Sequence, residues 1–401
     1  MQWFLVFPKF TLGGHSGILI GEILLILLLV KSVLFSQFKF RLNTELKLIL
    51  FLALYYFIIS NIPFYTQGVT LGGVLYFCKL FLVLLGYSLI KSSPYNPKDN
   101  LFRFIIKPYF LMGIASFIIY IGYKIVLNPS VGEILWGYSL GARLIPTFGL
   151  GIDLTAIGLV PVGGGSGNLL GSFSLIALII IFNTNNVQYK KILISAIFLL
   201  VFLALSRGVL ITLVLYVIYY FLFKKQKVIY FVFMVVIVVA VAVIWGDQIS
   251  LVNRISDTVT SKGLDPSSMG RLINYIDGFK AWFSTPYSII FGIGSDETLL
   301  TEKVGAPLIE SFYLGLLFSG GVISILIFLI FMVLVTYKRN RNIYYRYLFE
   351  YLIFQSIIQW TLVGGDFWGP VNMYIMVVLF ALSNQSRFNL KNIPLSKRLI
   401  I

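Results

Sequence analysis

Residues 192–223 read ILISAIFLLVFLALSRGVLITLVLYVIYYFLF, two apolar runs joined by the charged turn Ser206-Arg207-Gly208. Runs of this length predict two membrane helices with a very tight turn between them. An arginine guanidinium stays charged at any accessible pH, and it costs about 2.5–3.5 kcal/mol near the centre of a bilayer. Arg207 therefore either anchors a helix end at the lipid headgroups or binds an anionic group of a lipid-linked substrate.

The whole chain has the composition of a helical membrane protein. Of its 401 residues, 59% are hydrophobic and only 11% are charged, a balance that excludes a soluble domain of this size. The sequence predicts an all-α polytopic integral membrane protein, a single membrane domain over residues 1–401 with about 11 (10–12) transmembrane helices. The predicted spans are 17–35, 46–62, 69–90, 101–127, 168–183, 190–206, 208–223, 228–246, 308–336, 343–363 and 368–384.

The basic residues are concentrated in alternate connections between these spans. Most of the 31 lysines and arginines would share one side, and the positive-inside rule makes that side cytoplasmic. The prediction is an outer N-terminus and a cytoplasmic C-terminus, with only Glu45, Asp99 and Glu350 as acidic residues on the cytoplasmic side. The net charge of +16 is thus a topology signal, and no nucleic-acid partner is expected.

Two longer outer segments flank the Arg207 turn, an extracytoplasmic loop at 247–307 and a smaller segment at 128–167. The larger loop predicts an amphipathic helix lying on the membrane or on the helix bundle, because apolar residues recur at helical spacing: Leu272, Tyr275, Ile276, Phe279 and Phe283. With a turn at Asp265-Pro266, the first turn of this helix is expected to place Arg271 near free backbone amides, which suits a phosphate.

Single residues restrict the chemistry further. Cys78 is the single cysteine and His15 the single histidine, so no internal disulfide, metal site or cofactor is expected. Glu310 lies at the outer mouth of the bundle, where it is either a helix N-terminal partner or a catalytic base. Asp366, in an outer turn with Gly and Trp neighbours, is the second candidate for the base.

Several short motifs follow one another in a recognisable order. They are Arg143, Asn168-Leu169-Leu170-Gly171, Ser206-Arg207-Gly208, Gly270-Arg271-Leu272, Phe291-Gly292-Ile293-Gly294, Glu310-Ser311-Phe312-Tyr313 and Ser319-Gly320-Gly321. Over roughly residues 140–330 this order resembles the O-antigen ligase and O-antigen (Wzy-type) polymerase superfamily of bacterial membrane glycosyltransferases. Ligases of that superfamily carry a histidine at the position of Glu310, so the resemblance implies an O-antigen or capsular polysaccharide polymerase rather than a ligase.

The resemblance also implies substrates, partners and residue roles. The enzyme would be a GT-C-like, metal-independent glycosyltransferase of the bacterial cytoplasmic membrane, acting on undecaprenyl-diphosphate-linked repeat units at the outer leaflet. Membrane lipids, chain-length regulators and flippases are the partners expected with it. Catalysis would use Arg207, Arg271 and Glu310, and substrate binding would involve Arg143, Arg254, Asn168, Asp366 and Tyr313.

A transporter is the competing class, either a lipid-linked oligosaccharide flippase or a polysaccharide exporter. A flippase is expected to place cations along a cavity at mid-membrane depth, where this chain offers Lys79. The other basic residues off the cytoplasmic side fall at the outer face and in one outer loop, which favours chemistry at the outer leaflet.

Overall fold

The computed structural model describes residues 9–11, 17–19, 27, 30, 44–61, 101–111, 113–114, 167–184, 187–203, 207–224, 266–294, 303–305, 311–356 and 370–391. This part of the chain is mostly helical, as predicted. Its helices are α1 Thr44–Asn61, α2 Gly167–Asn183, α3 Lys190–Leu203, α4 Arg207–Tyr219, α5 Pro266–Trp282, α6 Pro286–Phe291, α7 Phe312–Lys338, α8 Ile343–Phe354 and α9 Pro370–Lys391. Two π-helical turns, Phe102–Ile106 and Tyr220–Lys224, accompany them.

Most described helices coincide with predicted spans. Helices α1 to α4 and α7 to α9 match the spans predicted at 46–62, 168–183, 190–206, 208–223, 308–336, 343–363 and 368–384, and helical residues open the one at 101–127. The spans predicted at 69–90 and 228–246 lie outside the described residues. Within the description, α7 is the one helix long and apolar enough to cross a membrane, and Gly171–Asn183, Val209–Lys224 and Tyr374–Ser383 are shorter apolar helices.

The start of the chain departs from the prediction. Gly17–Leu19, expected to open a membrane helix, instead forms strand β2 and pairs antiparallel with β1, Lys9–Thr11. The sequence between them contains Gly13 and Gly14, and glycines of this kind favour a hairpin connection over a continuous helix.

Helices α2 and α9 form the centre of the described bundle. Helix α2 is buried from Gly171 to Phe182 and α9 from Tyr374 to Ser383. Helix α2 packs on α3, α4, α8 and α9, whereas α7 packs on α1, α5, α6 and α8. Since lipid provides no hydrophobic drive between helices, such contacts depend on the fit of side chains, and the ring of Phe173 meets Tyr374 edge to face at 6.2 Å.

Two buried ion pairs join helix ends that carry predicted cytoplasmic lysines. Lys338, at the end of α7, bonds to Glu45 near the start of α1. Lys224 Nζ, just beyond α4, lies 2.5 Å from Glu350 Oε1 on α8. Both carboxylates are buried, and a buried carboxylate needs such a partner. The contacts bring these ends together, as the predicted alternation of helix direction requires.

Candidate functional site

Helix α7 is broken at Gly321. This glycine has φ 62° and ψ −164° within an otherwise helical segment, a backbone conformation that a residue with a side chain rarely adopts. A break of this kind leaves the last carbonyl oxygens of the first half-helix without helical partners. In a membrane each unpartnered carbonyl would cost several kcal/mol, so other elements must supply donors.

Those donors come from the turn after α6 and from α1. The bonds are Ile293 N to Phe318 O at 2.7 Å, Gly294 N to Ser319 O at 3.0 Å, and the Tyr55 hydroxyl to Gly320 O at 2.9 Å. The Tyr55 hydroxyl also lies 3.2 Å from Phe291 O. We call this contact the glycine joint; it comprises Tyr55, residues 291–294 and residues 318–321.

The hydroxyl of Ser324 closes the break from within α7. Its Oγ lies 2.6 Å from Leu316 O and 3.0 Å from Gly321 O, so it donates across the two halves of the helix. A serine at this position therefore replaces part of the interrupted helical ladder.

Glycine is required on both sides of the joint. Gly292 has φ +84°, and a Cβ added there would lie 2.4 Å from Ser319 O. A Cβ on Gly321 would lie 2.2 Å from Ile290 O. These contacts are with backbone, which cannot rotate away, so the two chain segments can approach this closely only where both residues lack a side chain.

Phe318 of α7 is the anchor for helix α5. Its ring meets Phe279 edge to face at 5.0 Å, and a Cβ on Gly278 would lie 2.3 Å from the same ring. Around Phe318 the structure forms a second apolar cluster, separate from the main core, with Trp282, Ile293 and Val304. The amphipathic helix thus lies on the helix bundle, one of the two predicted arrangements.

The predicted apolar face of α5 packs on the bundle only in part, through Tyr275 and Phe279. Leu272, Ile276 and Phe283 are 42%, 47% and 61% exposed, whereas Gly278 and Trp282 face α7. Apolar residues of a membrane protein are as stable against lipid as against protein, and small residues mark the helix contacts. Periodicity therefore identified the helix and only part of the side that packs.

The corner between α5 and α6 is fixed by polar contacts. Thr285 Oγ1 accepts from Ser288 N at 3.0 Å, and Ser288 Oγ accepts from Thr285 N at 3.1 Å, a complete capping box. The Trp282 indole Nε1 donates to Ile289 O at 3.2 Å. This corner holds the glycine turn in a defined direction relative to α5.

Arg271 sits further along its helix than predicted. Helix α5 begins at Pro266, so Arg271 lies in the second turn, past most of the free amide groups of the N-terminus. The prediction that Arg271 lies in the first turn of its helix is thus wrong, and the extracytoplasmic location of this helix stays a prediction.

The helix that opens at Arg207 is packed tightly on α2. A Cβ on Gly171 would lie 2.1 Å from Val209 Cγ2, so the first turn of α4 touches α2 just beyond the first turn of α2. Asn168 and Arg207 are in these first turns. The structure therefore brings two of the motif segments together, Asn168 to Gly171 and Arg207 to Val209, through a contact that requires glycine.

Residues 192–329 match the family model described as O-antigen ligase. This match, over about a third of the chain, supports the predicted resemblance to the O-antigen ligase and polymerase superfamily. No curated protein matches the chain. The matched segment runs from α3 into the second half of α7, and it contains the Arg207 turn, the Arg271 helix and the backbone partners of the glycine joint. Members of this bacterial membrane family are ligase- and polymerase-type enzymes that act on lipid-linked polysaccharide.

The predicted site residues are described to different extents. For Arg207, Arg271 and Asn168 the structure gives the backbone position in α4, α5 and α2. Four other predicted residues fall outside the described ones, and they are Arg143, Arg254, Glu310 and Asp366. The shared role of the Arg207 and Arg271 side chains in catalysis thus stays a prediction.

Tyr313 is described, and it packs in the first turn of α7. It is partly buried against the main core, with its ring 5.4 Å from Phe312 and 6.2 Å from Phe328. These contacts fix the start of the half-helix that leads to the glycine joint, so Tyr313 has a packing role, and contact with substrate stays a prediction.

A buried polar cluster between α2, α8 and α9 was missed by sequence reasoning. Gln355 Nε2 bonds to Ser172 Oγ, and the Tyr351 hydroxyl bonds to Asn372 Oδ1. All four residues are buried, and Gln355 Oε1 has no hydrogen-bond partner among the described residues. The available signal was polar residues inside apolar runs, which favour contacts between helices over contacts with lipid.

Proposed function

We propose that this protein is a polysaccharide polymerase of the bacterial cytoplasmic membrane. It transfers the growing glycan from undecaprenyl diphosphate onto a lipid-linked repeat unit at the outer leaflet. The observation that carries the proposal is the family match at 192–329, because this segment contains both arginine motifs and the glycine turn. A ligase is the second candidate within the same superfamily.

The choice of polymerase over ligase rests on the lack of a histidine. The chain has one histidine, His15, far from the matched segment. Ligases of the superfamily carry histidine at the position of Glu310, where it acts on the acceptor, and this chain has a carboxylate instead. We therefore assign Glu310 as the base, with Asp366 as the second candidate.

The chemistry is a displacement at the anomeric carbon of the donor glycan. The hydroxyl oxygen of the acceptor sugar forms the new bond to that carbon while the bond from the carbon to the diphosphate oxygen breaks. The proton of the hydroxyl passes to Glu310, and the electron pair leaves with undecaprenyl diphosphate. The step needs a proton acceptor and stabilisation of the leaving diphosphate.

Arg207 and Arg271 are assigned to the leaving diphosphate. A guanidinium fits phosphate oxygens with two parallel hydrogen bonds, which a lysine ammonium does not. Arg143 and Arg254 are outer partners in this assignment, and Asn168, Asp366 and Tyr313 contact the glycan. The packing of α5 on α7 supports the idea that the outer loop folds back toward the bundle mouth. The reaction is expected to be metal-independent and GT-C-like, in a domain of about 11 spans.

The direct test is the product formed by the purified protein. Reconstituted in nanodiscs with a synthetic undecaprenyl-diphosphate-linked repeat unit, it should give a ladder of lengthening glycans. Glu310→Gln should slow the lengthening more than it weakens binding of the lipid-linked donor. Transfer to an added glycolipid acceptor without a ladder would establish a ligase. Leaflet exchange without any new glycosidic bond, measured in proteoliposomes, would establish a transporter.

A further inference from the structure

A pocket of about 400 Å³ opens beside the buried Lys224–Glu350 pair, at the end of the bundle that carries the lysines. Of the described residues, those that line it are Tyr219, Arg339, Asn340, Arg346, Phe349 and Glu350. They come from α4, from α8 and from the connection between α7 and α8. The pocket is thus built from three parts of the chain, with two guanidinium groups in its wall.

The carboxylate of Glu350 already bonds to side chains inside the bundle. Its Oε1 lies 2.5 Å from Lys224 Nζ, and its Oε2 accepts from the Tyr216 hydroxyl at 3.2 Å. Asn183 Oδ1 accepts from the same lysine at 2.7 Å. Lys224 and Glu350 are 11% and 4% exposed at their side chains, so they neutralise each other within the bundle.

Arg346 is therefore weakly engaged. Its Nε lies 3.4 Å from Glu350 Oε1, an oxygen that already has a much closer lysine, and its side chain is 56% exposed. A guanidinium carries five N–H donors, and this contact occupies at most one of them. The others can meet a ligand in the pocket.

Arg339 is held in place by an aromatic ring. Its guanidinium carbon lies 4.3 Å from the centre of the Phe349 ring, a stacking contact that orients the group. Stacking covers a face of the guanidinium, whereas the N–H groups lie in its plane and stay available at the edge. In the described part of this end, Lys224 and Arg346 thus contact the Glu350 carboxylate, and Arg339 lies in the wall of the same pocket.

We propose that this pocket binds the phosphate of an anionic phospholipid headgroup. Two guanidinium groups on one cavity match phosphate oxygens in charge and in geometry. Exposed aromatic residues lie nearby, with Phe223 at 74% and Tyr337 at 61%, as expected where a protein meets the membrane interface. Basic pockets between membrane helices are a known form of lipid recognition. The site goes beyond the proposed transferase activity and lies apart from the glycine joint.

Binding of short-chain phosphatidylglycerol to the delipidated full-length protein in neutral detergent tests the proposal. Arg339→Gln and Arg346→Gln should each weaken binding about 10-fold, the loss of a charge-assisted contact. The matched control is Arg341→Gln, which removes the same charge from the same connection. Arg341 lies outside the pocket, with Nη2 2.8 Å from the Tyr337 hydroxyl, and this variant should bind like the wild type.

Further binding measurements identify the source of the phosphate, and a second variant covers the case that a Gln variant does not fold. Phosphatidylcholine, which is zwitterionic, should bind at least about 10-fold more weakly than phosphatidylglycerol. Inorganic phosphate that binds as tightly as the lipid would make free phosphate the ligand and overturn the lipid assignment. If a Gln variant does not fold, Arg346→Lys replaces it and should still weaken binding, because it keeps the charge but not the fork. Equal losses in all three Gln variants, or no lipid binding, would overturn the site.

Discussion

The glycine joint and the lysine-bearing end hold the same bundle together by different physical means. At the joint, backbone N–H groups and one tyrosine hydroxyl partner the carbonyls of a broken helix. At the other end, buried lysine–carboxylate pairs join the helix ends. The described contacts of the joint use no charged side chain.

This difference is consistent with the proposed placement of the active site at the end of the bundle opposite the lysines. An active site that must bind a lipid diphosphate benefits from arginines that are not occupied by structural ion pairs, since a fixed carboxylate would compete with the phosphate. In the proposed function, closure by backbone and glycine would leave Arg207 and Arg271 available to the substrate. At the opposite end the buried lysines pair with carboxylates, while Arg339 and Arg346 line the pocket proposed for a phospholipid phosphate.

The largest loss of stability is expected from adding a side chain at Gly321 in the glycine joint. Gly321→Ala should destabilise the protein by about 4 kcal/mol or more, because the new Cβ meets a backbone oxygen and the residue has positive φ. Fluorescence-detected size exclusion after heating measures the loss. Gly305→Ala is the matched control, with φ +75° and open space around it. It should cost only roughly 1–2 kcal/mol for the backbone conformation. Equal losses in both variants would mean that the close approach at Gly321 contributes nothing.

The next effect is expected at the lysine-bearing end. Lys224→Met leaves the Glu350 carboxylate buried without its close cation and should cost about 3 kcal/mol. Thermal unfolding in detergent reports it. The control is Lys280→Met, which breaks an exposed pair with Asp277 at 2.7 Å and should cost less than about 1 kcal/mol. If Lys224→Met is as mild as its control, the buried pair is not what joins these helix ends.

A smaller effect is expected from Tyr55→Phe. The change keeps the ring and removes the hydroxyl that reaches both Phe291 O and Gly320 O, at a cost of about 1–2 kcal/mol. Hydrogen exchange should rise locally at residues 286–294, because the turn loses its contact with α1. Tyr337→Phe, which removes a hydroxyl bonded to exposed Arg341, should leave that exchange unchanged. Unaltered exchange in Tyr55→Phe would remove α1 from the joint.

The two ends are also predicted to lie on opposite sides of the membrane. Ser267→Cys and Asn340→Cys, each in a Cys78→Ser background, should change stability and activity little. An impermeant thiol reagent added to intact cells should label position 267 and spare position 340 until the membrane is opened. Labelling of position 340 but not of 267 would invert the whole topology.

The sequence predicted the helices of the fold better than the contacts between them. The boundaries of α3 and α4 followed from the apolar runs around Arg207, since a charged turn interrupts membrane helices strongly. The break in α7 did not follow, because an apolar run of this length predicts one continuous helix. The carbonyls freed at Gly321 accept hydrogen bonds from residues 291–294. A local sequence pattern does not predict hydrogen bonds between separate segments of the chain.

The family resemblance was predictable from the sequence, whereas the packing around the motif residues was not. Motif order identified Arg207 and Arg271, and the family match bears out the superfamily that this order suggested. The position of Arg271 within its helix was misjudged, because a proline at the first helical position starts α5 earlier than the motif does. The packing role of Gly278 followed only from the structure, which places Phe318 of α7 against it.

The most direct test of the central claim is a double-mutant cycle on the two arginines in the glycan-lengthening assay. Arg207→Lys and Arg271→Lys should each lower the rate about 10- to 100-fold, since a point charge replaces the planar fork in the transition state. Arg341→Lys should leave the rate unchanged. If both arginines act on one diphosphate, the double variant should fall by less than the product of the single losses. Full activity in either single variant, or strictly multiplicative losses, would contradict the account.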